Sequence, residues 1–204
     1  MIQATIIFEF CLAILAVVLA HLLGLSWQDQ LPGWSEASFG AAWTWGVISA
    51  LPLLGVFLLL DRVPVAALRE IRDWLQQMLT EHFAEATVSS FLWIAIAAGV
   101  GEELLFRGVC QRWLATIQGF QIGPDGRYAP VLAILTTSLL FGFAHMLSWT
   151  YFWLAFAASV YFGVVHVLSD NLWSPILAHA CYDFVALVYL RYWSDGAPMQ
   201  INSS

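Results

Sequence analysis

Long apolar runs separated by short polar stretches set the layout of this chain, at Ala4–Leu25, Phe39–Leu60, Thr87–Leu114, Val131–Met146, Tyr151–Leu168 and Pro175–Tyr192. About 20 apolar residues in a helix cross the roughly 30 Å of bilayer hydrocarbon, and a backbone in lipid has to satisfy its own hydrogen bonds. The pattern therefore predicts six membrane-spanning helices, since barrel strands would instead leave weaker alternating segments of about ten residues. Between the second and third runs the periodicity changes. Leu68, Ile71, Leu75, Met78, Leu79 and His82 recur at helical spacing, while Arg69, Glu70, Arg72, Asp73, Gln76, Gln77 and Glu81 fill the other face. An apolar stripe backed by a charged face, opened by Pro64, predicts an amphipathic helix lying in the membrane interface, or packed on the bundle, rather than a seventh span.

Composition agrees with this layout. Of the 204 residues, 61% are hydrophobic and 10% charged, against roughly 25% charged in soluble domains. The predicted fold is all-α, a polytopic membrane helix bundle forming a single transmembrane domain over 1–204, with no internal repeat. Ala4–Leu25 lacks a basic leading segment and a small-residue cleavage site, so it reads as a retained span rather than a signal peptide. Trp27, Trp34, Trp113, Trp149, Trp173 and Trp193 fall near the ends of the runs, at the headgroup level an indole prefers. Ser174-Pro175 reads as an N-cap followed by proline at the first helical position. Gly142 and Gly163 read as points of close helix packing.

Charge changes the picture less. The chain has no lysine and seven arginines; Arg62, Arg69, Arg72 and Arg191 favour cytoplasmic termini for a multi-pass protein of the cell's inner or plasma membrane, and Arg112 and Arg127 oppose that orientation. A formal net charge of −7 argues against nucleic acid or anionic lipid as the main partner, leaving membrane lipid as the surroundings. Cys11, Cys110 and Cys181 show neither C-x-x-C nor zinc-finger spacing and read as small hydrophobes.

Against this background Gly101-Glu102-Glu103-Leu104-Leu105-Phe106-Arg107-Gly108 stands out, because it places three charges inside a membrane-type helix. A charge at the centre of a span costs about 2.5–3.5 kcal/mol on insertion scales, and such residues mark polar interiors and reaction or transport sites. Glu103 and Arg107 are four apart with the carboxylate N-terminal, the favourable order for a pair. Glu102 is turned about 100° away, free to point into a cavity, so two neighbouring carboxylates acquire separate surroundings and roles. A buried ion-pair network that only fixes helix register is the alternative for these three residues.

Two later stretches add ionisable groups: Phe141-Gly142-Phe143-Ala144-His145, and His179-Ala180-Cys181-Tyr182-Asp183. His179 and Asp183 share a helical face, so Asp183 can orient the imidazole or share a ligand with it. Taken singly, each histidine reads as an ordinary interior group; together, two histidines and three carboxylates in a small bundle read as a hydrolytic or metal site. His21, His82 and His166 have no companion at ligand spacing and read as structural, and Glu9 reads as a residue that reaches the interface.

The stretches Glu102-Glu103-x-x-x-Arg107-Gly108, Phe141-x-x-x-His145 and His179-x-x-x-Asp183, the last preceded by Leu172-Trp173-Ser174-Pro175-Ile176-Leu177-Ala178, closely resemble the CPBP family of intramembrane proteases. That family includes the type II CAAX prenyl endopeptidases and many bacterial Abi-type proteins. The resemblance covers about Phe91–Tyr192, with the N-terminal spans and interfacial helix of 1–86 outside it. One departure is Asp183, where the CAAX endopeptidases carry asparagine; an acid there can hold an imidazolium or bind a cation, which a neutral amide does less well.

The resemblance implies an intramembrane endopeptidase acting on a peptide or protein substrate reached from the membrane. In it Glu102 is the general base for a water, His145 and His179 bind that water or the oxyanion, and Asp183 supports His179. Glu103 and Arg107 hold the motif in shape. A zinc or other divalent ion held by Glu102, His145 and His179 is compatible with the residue types, but no H-E-x-x-H is present and no firmly bound metal is expected. Two other functions remain open: a non-catalytic scaffold or immunity protein of the same family, and an ion-coupled transporter, which lacks the repeats many transporters show. Depth counting leaves a tension, because at about 1.5 Å per residue Glu102 and His179 fall at similar levels while His145, late in its run, falls nearer the opposite face.

Overall fold

A computed structural model describes residues 1–27, 30–31, 36–123 and 126–193; Trp34 lies outside the described residues. The helices are α1 (Ile2–Leu22), α2 (Glu36–Arg62), α3 (Ala66–His82), α4 (Val88–Glu103), α5 (Arg112–Thr116), α6 (Ala129–Ala144), α7 (Trp149–Ser169) and α8 (Trp173–Tyr192). A π-helix, Leu104–Gln111, joins α4 to α5, so that Val88–Thr116 forms one 29-residue rod. No strand occurs among the described residues.

Five of the predicted runs form helices long and apolar enough to cross a bilayer, and the remaining one, α6, is apolar but only 16 residues long. Side chains such as Ile7, Phe8, Ile14, Leu51, Leu59, Trp93 and Phe143 stand exposed on the outside of the bundle. In a polytopic helical protein that surface faces lipid, which costs nothing for an apolar group. The Thr87 hydroxyl accepts from the Ser90 amide at 3.3 Å, and the Thr87 amide donates to the Ser90 hydroxyl at 3.2 Å. This reciprocal cap starts α4 where the apolar run begins.

The bundle is organised around α4 and α8. The first span, α1, packs along α4 and the π-helix, α2 packs along α8, and α6 pairs with α7. Glycines bring these backbones together. A Cβ on Gly99 would sit 2.8 Å from the Ile176 carbonyl oxygen, and one on Gly142 would sit 2.9 Å from the Phe152 ring. The expected close packing at Gly142 and Gly163 is thus present at the α6–α7 hairpin and at its contact with Gln111.

The amphipathic helix is present as α3, and its apolar stripe turns onto the bundle. Leu79 is buried in a cluster with Phe83, Phe91, Ile94 and Leu190, against which Leu75 and Met78 pack. Asp61 at the end of α2 ties it down, accepting from Arg72 Nη1 at 3.4 Å and from the Tyr189 hydroxyl of α8 at 2.8 Å. Trp27, just past the end of α1, packs against the buried cluster of Ala16, Ala20 and Val109, and Gly108 leaves room for its ring. One local expectation is corrected. Helix α8 starts at Trp173, capped by the Asn171 side chain at 3.0 Å from the Trp173 amide, while Ser174 is fully buried and is not the N-cap.

Candidate active site

The carboxylate motif sits at the junction between α4 and the π-helix, at the centre of the bundle. Glu103 and Arg107 are both fully buried. Arg107 Nη1 donates to Glu103 Oε1 at 3.0 Å, the pair the spacing predicted. Arg107 Nη2 continues across to α7, donating to the Ser159 carbonyl at 2.7 Å and its hydroxyl at 2.8 Å. The guanidinium lies over the rings of Phe141 and Phe162, 5.2 and 5.6 Å from their centroids, where a cation gains from the ring quadrupoles. Within the wider π turn Gln111 also reaches α7, donating to the Gly163 carbonyl at 3.3 Å.

Glu103 has a second partner that sequence spacing did not reveal. His179 Nδ1 donates to the same Glu103 Oε1 at 2.7 Å, so Arg107, Glu103 and His179 form one chain of hydrogen bonds running from α7 through the α4 rod to α8. The Phe162 ring stacks on the His179 imidazole, with centroids 4.8 Å apart and planes 11° from parallel. Asp183, one helical turn on, approaches the other nitrogen: its Oδ2 lies 3.4 Å from His179 Nε2.

His145 closes α6 as its C-cap residue. Its Nδ1 donates to the Phe141 carbonyl at 3.0 Å, and its ring stacks on Phe141 at 4.2 Å. With Nδ1 used in this way in both histidines, each presents Nε2 to Glu102. His145 Nε2 is 3.7 Å from Glu102 Oε1 and His179 Nε2 is 3.9 Å from Glu102 Oε2. Both distances exceed a hydrogen bond, and Glu102 Oε2 is buried without a donor among the described residues.

The depth tension disappears once the helix lengths are known. Glu102 lies 14 residues before the end of the Val88–Thr116 rod, and His145 lies 16 residues after the start of α6, which begins beside that same end. At about 1.5 Å per residue both stand roughly 21–24 Å from the shared end. The run Thr87–Leu114 already has nearly this length; α6 starts from where the rod stops, so both residues are counted back from one end.

Glu102, His145, His179 and Asp183 open onto one cavity of about 380 Å³. Its walls also carry Tyr151, Tyr182, Phe162 and Glu9, all outside the motifs. Glu9, expected at the interface, is buried within the bundle because α1 packs directly on α4. By type, Glu102, His145 and His179 are a zinc ligand set with an open position. Among the described residues no group of three or more His, Cys, Asp or Glu side chains is placed so as to hold a metal ion. The nearer acid to His179 Nε2 is Asp183 rather than Glu102.

A family model for type II CAAX prenyl endopeptidases, Rce1-like, matches residues 84–185. The chain belongs to the Rce1-like family. The matched segment begins just before α4, ends within α8, and holds all six motif residues of the site. Membership in this protease family, together with the apolar helices, makes the chain an integral membrane protein of peptidase type. No curated protein and no solved structure matches the chain. The Rce1-like segment includes neither α1 nor α2, so Glu9 and its wall of the cavity come from outside it.

Proposed function

We propose that the chain is an intramembrane endopeptidase that hydrolyses peptide bonds of membrane-embedded or membrane-proximal substrates with a glutamate-activated water. The observation that carries this reading is the convergence of two imidazole Nε2 atoms on the two oxygens of one buried carboxyl, at 3.7 and 3.9 Å. A water held there meets a base and two orienting nitrogens at once. Glu102 takes one proton from it as the oxygen bonds to the substrate carbonyl carbon. His145, whose Nδ1–H is committed to the Phe141 carbonyl, offers its Nε2 lone pair to the other O–H and so aims the attack. His179, fixed through Nδ1 by Glu103, presents Nε2–H as imidazolium to the developing oxyanion, with Asp183 beside it. As the C–N bond breaks, Glu102 returns its proton to the leaving nitrogen. The atoms balance as peptide plus water giving acid plus amine, and no step passes through a metal ion.

General base catalysis contributes typically 10²–10⁴-fold and preorganised donors at an oxyanion about 10²–10³-fold. Glu102→Gln is therefore expected to lower turnover of a cleavable membrane reporter by at least about 10²-fold, while membrane insertion and thermal unfolding in detergent stay as in the wild type. Full turnover by this variant would remove Glu102 from the role of base.

A further inference from the structure

Glu9 is the least expected wall of the cavity. It lies within α1, is 7% exposed, and its Oε2 is buried without a hydrogen-bond partner among the described residues. The other buried residues of α1 are Ala16 and Ala20, which lie seven and eleven positions on and so on the same helical face. A small apolar residue thus fills the other buried positions of the stripe, and helix packing alone does not call for a carboxyl. Burying a polar group without a partner costs free energy that packing does not return.

The local backbone is shaped to admit it. Gly101 stands opposite, and a Cβ there would collide with the Glu9 carbonyl and come within 3.2 Å of Glu9 Oε2. The glycine immediately before Glu102 therefore lets α1 approach until its carboxyl borders the cavity that holds Glu102, His145, His179 and Asp183. The charged and titratable groups facing that cavity are Glu9, Glu102, Asp183, His145, His179, Tyr151 and Tyr182, with neither lysine nor arginine among its lining residues. Arg107 is committed to Glu103 and Ser159. A peptide entering an apolar interior brings backbone N–H groups, and any cationic side chain, away from water, and each needs an acceptor.

We propose that Glu9 is a substrate-binding residue whose carboxyl accepts a hydrogen-bond donor of the bound peptide, beside the bond attacked by the water on Glu102, and that it sets sequence preference where that donor is a side chain. The donor is either a main-chain N–H or a Lys or Arg side chain. This rests on the proteolytic reading above and extends the site to a span that the family match does not include.

The test uses the full chain in proteoliposomes with a library of quenched fluorescent peptides, comparing wild type, Glu9→Leu and Glu9→Gln. For the peptide that wild type cleaves best, Glu9→Leu is expected to raise KM about ten- to a hundredfold with kcat within about twofold. If Glu9→Leu does not insert, Glu9→Ala, the residue of the neighbouring stripe positions, takes its place. Glu9→Gln keeps an acceptor oxygen, so it retains most of the affinity when the donor is an N–H and loses as much as Glu9→Leu when the donor is a cation. Norleucine in place of Lys, or N-methylation of the backbone, then removes the difference between wild type and variant and identifies the donor. Unchanged KM and unchanged sequence preference in the apolar variant would overturn the proposal while leaving the peptidase intact. A wild type that cleaves no member of the library would instead overturn the proteolytic reading, and this assignment with it.

Discussion

At the scale of single residues the arrangement turns on Glu103. Its Oε1 accepts from both Arg107 and His179, so the acid adjacent to the catalytic candidate holds the imidazole in place rather than merely pairing along its own helix. Removing one member of a buried ion pair leaves an uncompensated charge, at a cost of about 3–5 kcal/mol. Arg107→Leu is therefore expected to destabilise the folded protein by about that amount, measured by thermal or denaturant unfolding in detergent, and to release His179. Arg107→Lys keeps the charge but lacks the fork that reaches Glu103 and both oxygens of Ser159, so a smaller loss is expected and full rescue is not. Motif spacing brought Glu102, His145, His179 and Asp183 into view because ionisable residues are conspicuous in apolar helices. The Glu103–His179 bond was hidden because it joins residues 76 positions apart. Phe162 was hidden too, since an aromatic residue in a span looks the same whether it meets lipid or an imidazole.

Among elements, the close approach of α1 to α4 decides whether the site has its N-terminal wall. Gly101→Ala places a methyl group against the Glu9 backbone, and overpacking of this kind costs typically about 1–3 kcal/mol. The variant is expected to lose stability and to cleave more slowly, because α1 must move away from the cavity. Gly55→Ala is the matched control: at this exposed position of α2, nothing lies within 4 Å of its added carbon, so unfolding and turnover should stay at wild-type values or show a gain of about 0.5–1 kcal/mol from helix propensity. Helix existence and order were legible from apolar periodicity, including the separate amphipathic α3. The π-helix was not. Leu104, Leu105 and Phe106 suit an ordinary turn equally well, and the wider one coincides with what the later residues meet: Ser159 for Arg107, Trp27 for Gly108, and Gly163 for Gln111. Such turns concentrate at functional sites, and this one starts immediately after the two glutamates.

For the molecule as a whole, six apolar helices could be read from hydropathy, and so could their unequal lengths. The run Thr87–Leu114 is much longer than Val131–Met146, and counting both back from the end they share, where α5 meets α6, brings His145 level with Glu102. That short helix has a consequence for the surrounding lipid. Sixteen residues of α6 reach only about 24 Å, less than the roughly 30 Å of hydrocarbon around them, and Val131, Leu135, Leu139, Leu140 and Phe143 face outward along its length. A bilayer that contacts this face has to thin locally or leave polar backbone near His145 in hydrocarbon. On the proposed proteolytic reading, acyl-chain length thereby becomes a control on cleavage: turnover is expected to fall several-fold between vesicles of roughly 14-carbon and roughly 22-carbon phosphatidylcholine, because the thicker bilayer closes over the end of α6 beside the proposed site.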